Sequence, residues 1–248
     1  MTRHPKPDPG RRNLLKAAGG VALLSVLPMT LWVGAADGKK LKIGIIGSGH
    51  VGSALGEVWA KAGHPVLFSS RNLENDRKLA AEVGANSRAG TPQDAAAFGE
   101  VILLAVPYSA YPELITSVGT ELKGKVVINA SNPFPQRDGQ IGEQARTQGA
   151  GLFDAQALPG ALVVRAFNAI GSARMASAHS DPGKIGLPIA GDDKRAVEVT
   201  SQLAREIGFE PVVVGGSDMG KYLMPGTPLA GEHSPDEVRA IAAKLNPG

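Results

Sequence analysis

A glycine-rich turn between two strand-like segments constrains this chain more than any other feature. Residues 41–46 form an apolar run typical of a buried parallel strand, and Gly47, Gly49 and Gly52 follow it as G-x-G-x-x-G. Residues 53–62 favour a helix, and residues 65–69 predict a second strand. This order is that of a βαβ unit whose first turn holds the pyrophosphate of a dinucleotide at a helix N-terminus.

The three glycines meet three different needs of such a turn. Gly47 allows the tight exit from the strand, Gly49 leaves the backbone open to the pyrophosphate, and Gly52 lets the helix pack close to the sheet. The intervening residues are predicted to line the cofactor with them, and they are Ser48, His50 and Val51. A glycine-rich turn without a ligand is the alternative, and His50 is equally well interpreted as a first-turn residue facing solvent.

The end of the second strand bears on the kind of dinucleotide. Enzymes that use NAD place Asp or Glu there to bind the ribose 2′-OH. Here the strand ends in Ser69-Ser70-Arg71, without a carboxylate. Because a hydroxyl and a guanidinium suit a 2′-phosphate, Ser70 and Arg71 predict NADP(H) over NAD(H). An ordinary loop arginine is the alternative for Arg71.

The rest of the chain alternates strand-like and helix-like segments, which predicts an α/β Rossmann fold with a doubly wound parallel sheet. Further strands are predicted at residues 101–106, 125–129, 161–166, 187–190 and 210–214. One helix is predicted to start at a Thr91 N-cap, with Pro92 at its first position, and another to cover residues 108–118. A long helix is predicted from an Asp192 N-cap to Ile207, and a short one at residues 219–223. A small C-terminal extension is expected from about residue 186.

The loops that follow the later strands carry the remaining candidate cofactor contacts, because ligands of such sheets bind at the carboxyl ends of the strands. These candidates are Ala105, Val106 and Pro107 in one loop, Asn129 and Ala130 in the next, and Asn168 in the third. The loops hold amides, hydroxyls and apolar groups but no acid–base pair, a composition suited to holding two flat rings face to face. The two asparagines are expected either to contact a ligand or to tie neighbouring loops together.

The N-terminus has the features of an export signal. Arg11 and Arg12 are followed by Leu-Leu-Lys, then by an apolar stretch to Val33 and small residues at Gly34-Ala35. This pattern predicts a twin-arginine signal peptide over residues 1–36, cleavage near Ala35, the twin-arginine export machinery as a partner, and a periplasmic or extracytoplasmic location. An uncleaved membrane anchor is the alternative.

Charge and composition narrow the possible functions of residues 37–248, the predicted folded domain. Residues 1–36 carry five basic side chains against one acidic, so they hold +4 and leave the remainder near −1 of the total +3. The basic character of the chain is therefore no argument for nucleic-acid binding, and we expect none. Without cysteine there is no thiolate catalysis or cysteine-bound zinc, and the histidines lack ligand spacing, so no metal site is expected.

Taken together, the motifs resemble those of NADPH-dependent deazaflavin reductases, the coenzyme F-420 NADP oxidoreductase family, to which the reductase domain of the STEAP metalloreductases is related. The resemblance covers about residues 41–229. The motifs that carry it are residues 47–52, Ser70-Arg71, residues 105–107, Asn129-Ala-Ser-Asn-Pro133, Ala166-Phe-Asn-Ala-Ile170 and Ala190-Gly-Asp-Asp193.

The resemblance implies a role for each of these motifs. Ser70 and Arg71 match the family's phosphate grip, residues 105–107 its nicotinamide loop, and residues 129–132 and 168–171 part of its deazaflavin pocket. It implies direct hydride transfer between nicotinamide C4 and deazaflavin C5, for which no catalytic side chain is needed. It also implies a homodimer.

The predicted function is an exported NADP(H)-dependent oxidoreductase that transfers hydride to or from a small-molecule acceptor of the flavin type, either coenzyme F-420 or another flavin. Two alternatives stay open. One is a non-catalytic dinucleotide-binding protein, and the other is a reductase of a quinone or a ferric chelate.

Overall fold

The structure contains the predicted βαβ unit. The computed structural model describes residues 1–2, 39–84 and 86–246. The predicted export signal therefore lies outside the described residues except for its first two. Within the described ranges, no helix has both the length and the apolar character needed to cross a membrane.

The eight strands form one sheet in the order β3-β2-β1-β4-β5-β6-β7-β8. The strands are β1 (Ile43–Ile46), β2 (Val66–Ser69), β3 (Ser87–Ala89), β4 (Val101–Leu104), β5 (Val126–Asn129), β6 (Leu162–Arg165), β7 (Ile185–Gly191) and β8 (Phe209–Gly215). Every neighbouring pair is parallel except β6 and β7, which are antiparallel. The predicted Rossmann fold is confirmed, with one antiparallel junction.

The helices lie between successive strands, as in a doubly wound arrangement, except that the last helix follows the last strand. They are α1 (His50–Lys61), α2 (Leu73–Val83), α3 (Pro92–Phe98), α4 (Tyr111–Val118), α5 (Pro135–Gln148), α6 (Ala150–Ala157), α7 (Ser172–Ser177), α8 (Lys194–Glu206) and α9 (Pro235–Leu245). Short 3-10 helices cover Tyr108–Ala110, Ala178–Ser180 and Ser217–Tyr222. Thr91 caps α3 and Pro92 begins it, as predicted.

The central strands are buried on both faces, which explains their unbroken apolar sequences. On β1, Ile43 and Ile45 enter the apolar cluster on one side of the sheet, and Ile46 enters the cluster on the other side. Trp59 of α1 is fully buried in the first cluster, and its indole N–H donates to the carbonyl of Leu203, 3.0 Å away. These contacts fix α1, and with it the glycine turn, against the sheet.

The prediction that Asp192 caps α8 is wrong. The cap is Asp193, whose carboxylate accepts from the backbone N–H of Ala196 at 2.8 Å, the spacing that an N-cap requires. Asp192 instead accepts from the backbone N–H of Ser217 at 2.8 Å and from its hydroxyl at 2.6 Å. It thereby joins the loop after β7 to the loop after β8.

The last part of the chain continues the same sheet. β7 pairs antiparallel with β6 through Val164 and Arg165, and β8 pairs parallel with β7. α9 packs on these two strands, where Val238 is fully buried. The residues beyond about 185 therefore extend the edge of the sheet next to β6, whose loop carries Asn168.

Candidate functional site at the carboxyl edge of the sheet

The glycine turn is held against the end of β2. The backbone N–H groups of Gly47 and Ser48 both donate to the carbonyl of Ser69, at 2.9 and 3.1 Å. Gly47 has φ +103°, a conformation that side chains rarely adopt, and a Cβ there would lie 2.3 Å from the carbonyl oxygen of Ala105. The turn is therefore rigid, and at Gly47 only glycine fits it.

Gly49 and Gly52 differ in what surrounds them. A Cβ on Gly52 would lie 2.0 Å from the carbonyl oxygen of Gly47. The first turn of α1 therefore packs so closely against the glycine turn that no side chain fits at Gly52. A Cβ on Gly49 would meet nothing within 4 Å. Gly49 is the N-cap of α1 and supplies no side-chain acceptor to the first helical turn. The open space, the positive helix end and the bare cap fit a pyrophosphate.

The end of β2 carries an acidic group that the sequence did not reveal. Asp76, in α2, is 1% exposed, and its carboxylate accepts hydrogen bonds from the hydroxyls of Ser48 and Ser70. The Ser70 Oγ lies 2.9 Å from Asp76 Oδ2. Arg71, the next residue, is exposed. At the predicted phosphate-binding position, the Ser70 hydroxyl is thus hydrogen-bonded to the Asp76 carboxylate, and the neighbouring Arg71 side chain is exposed.

The other predicted cofactor residues line the same edge of the sheet. His50 and Val51 open α1, His50 exposed and Val51 half-buried. Residues 105–107 follow β4 and are half-buried, and the N–H of Val106 donates to the Ser131 hydroxyl at 3.2 Å. Ala130 follows β5 and is buried. The structure brings all the predicted contacts to one edge, and their roles in binding stay predictions.

Asn129 and Asn168 tie the loops of this edge together. Asn129, fully buried, donates to the Tyr111 hydroxyl at 2.8 Å and accepts from the N–H of Ser131 at 2.9 Å. The amide nitrogen of Asn168 donates to the carbonyls of Asn129 and Ser131, at 3.0 and 2.9 Å. These two acceptors fix the orientation of the Asn168 amide, and its buried oxygen has no partner among the described residues. A polar ligand group reaching the loop fits that oxygen.

The backbone beside Asn168 is strained. Phe167 has φ +68°, and among the described residues it is the one non-glycine with a positive φ. Its ring is 1% exposed and packs edge-on against Trp59 and Phe209, with ring centroids 5.9 and 5.8 Å apart. Since strain of this kind persists only where packing enforces it, the loop is held in one conformation.

Arg165, the last residue of β6, lies in the core of the protein. It is 1% exposed, and its guanidinium contacts the carboxylate of Asp154 at 2.5 Å and the hydroxyl of Tyr108 at 3.0 Å. It also donates to the carbonyl of Ser131 at 3.1 Å. Arg165 therefore joins the loops after β4 and β5 to α6 through the core. Arg174, the other arginine near this loop, pairs with Glu232 on the surface.

Burial and neighbouring charges shift the pKa values of the side chains in this cluster. Burial lowers the pKa of Arg165, but the adjacent Tyr108 and Asp154 outweigh it and hold that pKa above its usual value. Burial raises the pKa of Tyr108 and of Tyr111, so both phenols stay protonated. Their rings stack with centroids 4.4 Å apart. Burial also raises the pKa of the Asp154 carboxyl, against the lowering effect of Arg165 and of the hydrogen bond from Tyr108. The cluster is thus a connected set of buried donors and acceptors.

Part of the chain that carries this site matches a known protein family. Residues 42–133, which hold the glycine turn, the end of β2 and the loops after β4 and β5, match the family model described as NADP oxidoreductase coenzyme F420-dependent. Residues 42–133 belong to this family. The resemblance identified from the sequence motifs is thereby confirmed.

Two known proteins are similar to this chain over more than residues 42–133. The F420-dependent NADP reductase of Methanothermobacter thermautotrophicus is 29% identical over 205 residues, covering 76% of this chain and 87% of the relative. Metalloreductase STEAP3 of Rattus norvegicus is 30% identical over 206 residues, covering 83% of this chain but 37% of the relative. The chain thus spans little more than a third of the STEAP3 length.

A solved structure shares the fold of this chain. The hypothetical protein SMa0349 from Sinorhizobium meliloti superposes with a TM-score of 0.64 at 29% identity, covering 79% of this chain and 95% of that protein. Together with the family model and the relatives, these similarities support an NADP-dependent oxidoreductase family. Within the described ranges, no group of three or more acidic or histidine side chains is arranged to hold a metal ion.

Proposed function

We propose that the protein is an NADP(H)-dependent oxidoreductase that transfers hydride between NADPH and a flat, flavin-like acceptor of the deazaflavin class. The observation that carries this proposal is the open space at Gly49, at the N-terminus of α1, within a segment of the matching family. The match to an F420-dependent NADP reductase supports the deazaflavin as acceptor.

The chain's own residues divide the binding of the dinucleotide between them. Residues 47–52 would hold the pyrophosphate through backbone N–H groups and the positive end of α1. Arg71, exposed beside the end of β2, would pair with a 2′-phosphate. Residues 105–107 would position the nicotinamide. Bound NADP(H) supplies the hydride donor or acceptor.

The acceptor would lie against the loops after β5 and β6. The hydrogen bonds that join Asn129, Ser131 and Asn168 fix these loops relative to each other. A hydride transfer requires alignment of two rings at contact distance and no proton relay. The buried Arg165 would support that alignment, because it holds the carbonyl of Ser131 and the hydroxyl of Tyr108 in place and is itself paired with Asp154.

A second candidate is a reductase of a ferric chelate, and the match to metalloreductase STEAP3 favours it. In that case the same dinucleotide site serves a different acceptor. An acceptor panel separates the candidates. The purified full chain would be mixed with NADPH and, in separate reactions, a deazaflavin, FMN, a quinone and a ferric chelate, and NADPH oxidation followed at 340 nm.

We expect turnover with the deazaflavin and much less with the other acceptors. Turnover with the ferric chelate alone would favour the second candidate. Tight NADPH binding without turnover on any acceptor would identify a dinucleotide-binding protein and contradict the proposed reaction. Gly49→Ala is the negative control, because its added methyl group enters the open space at the N-terminus of α1 and should weaken NADPH binding. Its turnover should therefore fall with every acceptor.

We further propose that residues 1–36 direct twin-arginine export and that the folded domain acts outside the cytoplasm, as a homodimer. The paired arginines Arg11 and Arg12 and the apolar stretch that follows support the export signal. N-terminal sequencing of the exported protein tests cleavage near Ala35, and an intact N-terminus would favour a membrane anchor. Light scattering of the purified protein tests the dimer.

A further inference from the structure

The buried carboxylate of Asp76 stands where the adenosine ribose of a dinucleotide would be recognised. In Rossmann folds the ribose lies between the glycine turn and the end of the second strand. Asp76 bridges these two elements, since it accepts from Ser48 in the turn and from Ser70 after β2. This part of the site therefore contains a negative charge, although the strand itself ends without an acid.

The hydrogen-bond inventory of the two serines decides what they can offer a ligand. A hydroxyl has one hydrogen to donate, and an ionised carboxylate only accepts. Ser70 Oγ lies 3.0 and 2.9 Å from the two carboxylate oxygens of Asp76 and accepts from the backbone N–H of Asn72 at 3.1 Å. The only other acceptor recorded for the Ser70 hydroxyl among the described residues, the carbonyl of Asn72, is farther away at 3.4 Å, so we assign the Ser70 hydrogen to Asp76. The Ser48 hydroxyl also donates to Asp76.

A serine whose hydrogen is committed presents only lone pairs. A lone pair suits a ribose hydroxyl, which donates, but not a phosphate dianion, which accepts. A 2′-phosphate oxygen at hydrogen-bond distance from Ser70 would also lie within about 6 Å of the Asp76 carboxylate, close enough for strong repulsion in a partly buried site. Asp76 therefore opposes the 2′-phosphate that Arg71 attracts.

We propose that Asp76 is a specificity-determining residue of the dinucleotide site: by taking the hydroxyl hydrogens of Ser48 and Ser70, it makes them acceptors for ribose hydroxyls, so that the protein binds NADH as well as NADPH. This inference rests on the proposed dinucleotide site and sharpens its cofactor class. Arg71 and Asp76 then have opposite effects on the binding of a phosphate at the 2′ position of the ribose.

The test is equilibrium binding, which needs neither an acceptor nor turnover. NADPH and NADH would be titrated into the full chain, and the fluorescence of the reduced nicotinamide followed, for the wild type, Asp76→Asn and Glu74→Gln. The amide introduced by Asp76→Asn would donate one hydrogen to a serine oxygen and so free that serine's hydrogen for a phosphate. Glu74→Gln removes the same charge from the same helix, but Glu74 is 76% exposed and pairs with Lys78.

We expect the wild type to bind the two cofactors with Kd values less than tenfold apart. Asp76→Asn should shift the ratio of Kd values toward NADPH by at least tenfold, and Glu74→Gln by less than threefold. A wild-type preference for NADPH of tenfold or more would overturn the proposal. So would an Asp76→Asn variant in which both Kd values change by the same factor, because a purely structural role affects both cofactors alike.

The outcomes also separate this inference from the proposed function. A wild type that binds neither cofactor contradicts the dinucleotide site itself, and the inference falls with it. A wild type that binds NADPH but excludes NADH leaves the proposed function standing and removes only the role of Asp76. If Asp76→Asn fails to fold, the wild-type ratio alone decides between these results.

Discussion

The guanidinium of Arg165 lies 2.5 Å from the carboxylate of Asp154, in the core behind the loops predicted to receive the nicotinamide and the acceptor. Both side chains are at most 1% exposed. Through Arg165 the pair also holds the carbonyl of Ser131 and the hydroxyl of Tyr108. A buried ion pair of this kind couples the stability of the fold to the geometry of the candidate site.

Removing one partner of this pair should be strongly destabilising. Asp154→Asn leaves the Arg165 charge buried without its counter-ion, and the expected loss in free energy of unfolding is about 3–5 kcal/mol. The double substitution Asp154→Leu with Arg165→Met should recover much of that loss, since an apolar pair carries no uncompensated charge. Urea unfolding of the three variants measures both effects. Lys61→Ala, which breaks the exposed Glu57–Lys61 pair, is the control. If Asp154→Asn costs no more stability than Lys61→Ala, Arg165 is not held by Asp154.

The glycine turn offers a pair of variants with opposite consequences. Gly52→Ala places a methyl group 2.0 Å from the Gly47 carbonyl oxygen, so the backbone must shift, at a cost of about 1–3 kcal/mol in stability. Gly49→Ala meets open space, and its stability should stay within about 1 kcal/mol of wild type.

Dinucleotide binding should distinguish Gly49→Ala from a silent surface change. Its methyl group enters the space assigned to the pyrophosphate, and we expect the Kd of NADPH to rise at least about tenfold. Calorimetric titration of the folded variant measures this directly. An unchanged Kd in Gly49→Ala would mean that the pyrophosphate does not lie over the head of α1.

Arg71 should act on the 2′-phosphate alone. Arg71→Ala is expected to weaken NADPH binding by about 1.5–3 kcal/mol, the usual worth of a hydrogen bond to a charged group, and to change NADH binding little. Arg239→Ala is the matched control for loss of a surface arginine, because the Arg239 side chain is exposed on α9. Equal losses for NADPH and NADH in Arg71→Ala would contradict the assignment of this residue to the 2′-phosphate.

Glu206 predicts a pH dependence of stability away from the site. Burial raises its pKa, but hydrogen bonds from Lys40, Gln202 and His64 outweigh that effect, so the net pKa lies below the usual 4.5. A lowered carboxyl pKa stabilises the folded state above the unfolded value, and this contribution is lost as the pH falls through the folded pKa.

The measurement is urea unfolding of wild type and Glu206→Gln between pH 7 and pH 3. At pH 7 the variant should be less stable by about 1–2 kcal/mol, and the difference should shrink progressively below about pH 4.5. A difference that is constant over this range would show that the Glu206 charge does not contribute to folding.

Much of the fold was predictable because its strands are buried on both faces and read as unbroken apolar runs. The βαβ unit, the central strands and the Thr91-Pro92 start of α3 follow from such local signals. Helix α5 was missed because its sequence, Pro-Gln-Arg-Asp-Gly-Gln-Ile-Gly onward, is mostly polar and is interrupted by Gly139 at φ +60°. Helix α9 did carry a signal, the Ser234–Glu237 capping box with Pro235 at the first position.

The candidate site was predictable only in part, for a physical reason. Motifs mark backbone requirements, such as the tight turn at Gly47, and these depend on residues adjacent in sequence. The contacts of Asp76 with Ser48 and of Arg165 with Asp154 join different elements, and only the packing of helices on the sheet brings them together. The same limit applies to Arg165, whose buried partners Asp154 and Tyr108 lie on other elements.

The central claim is that this protein aligns the nicotinamide with a deazaflavin ring for direct hydride transfer, and isotope transfer tests it most directly. The full chain would be incubated with NADPH deuterated at nicotinamide C4, in each stereochemical form, and with a deazaflavin, and the product analysed by mass spectrometry. The account predicts one deuterium retained at C5 of the reduced deazaflavin, from one of the two forms of NADPH. Reduced deazaflavin without deuterium from either form, or no reduction at all, would contradict it.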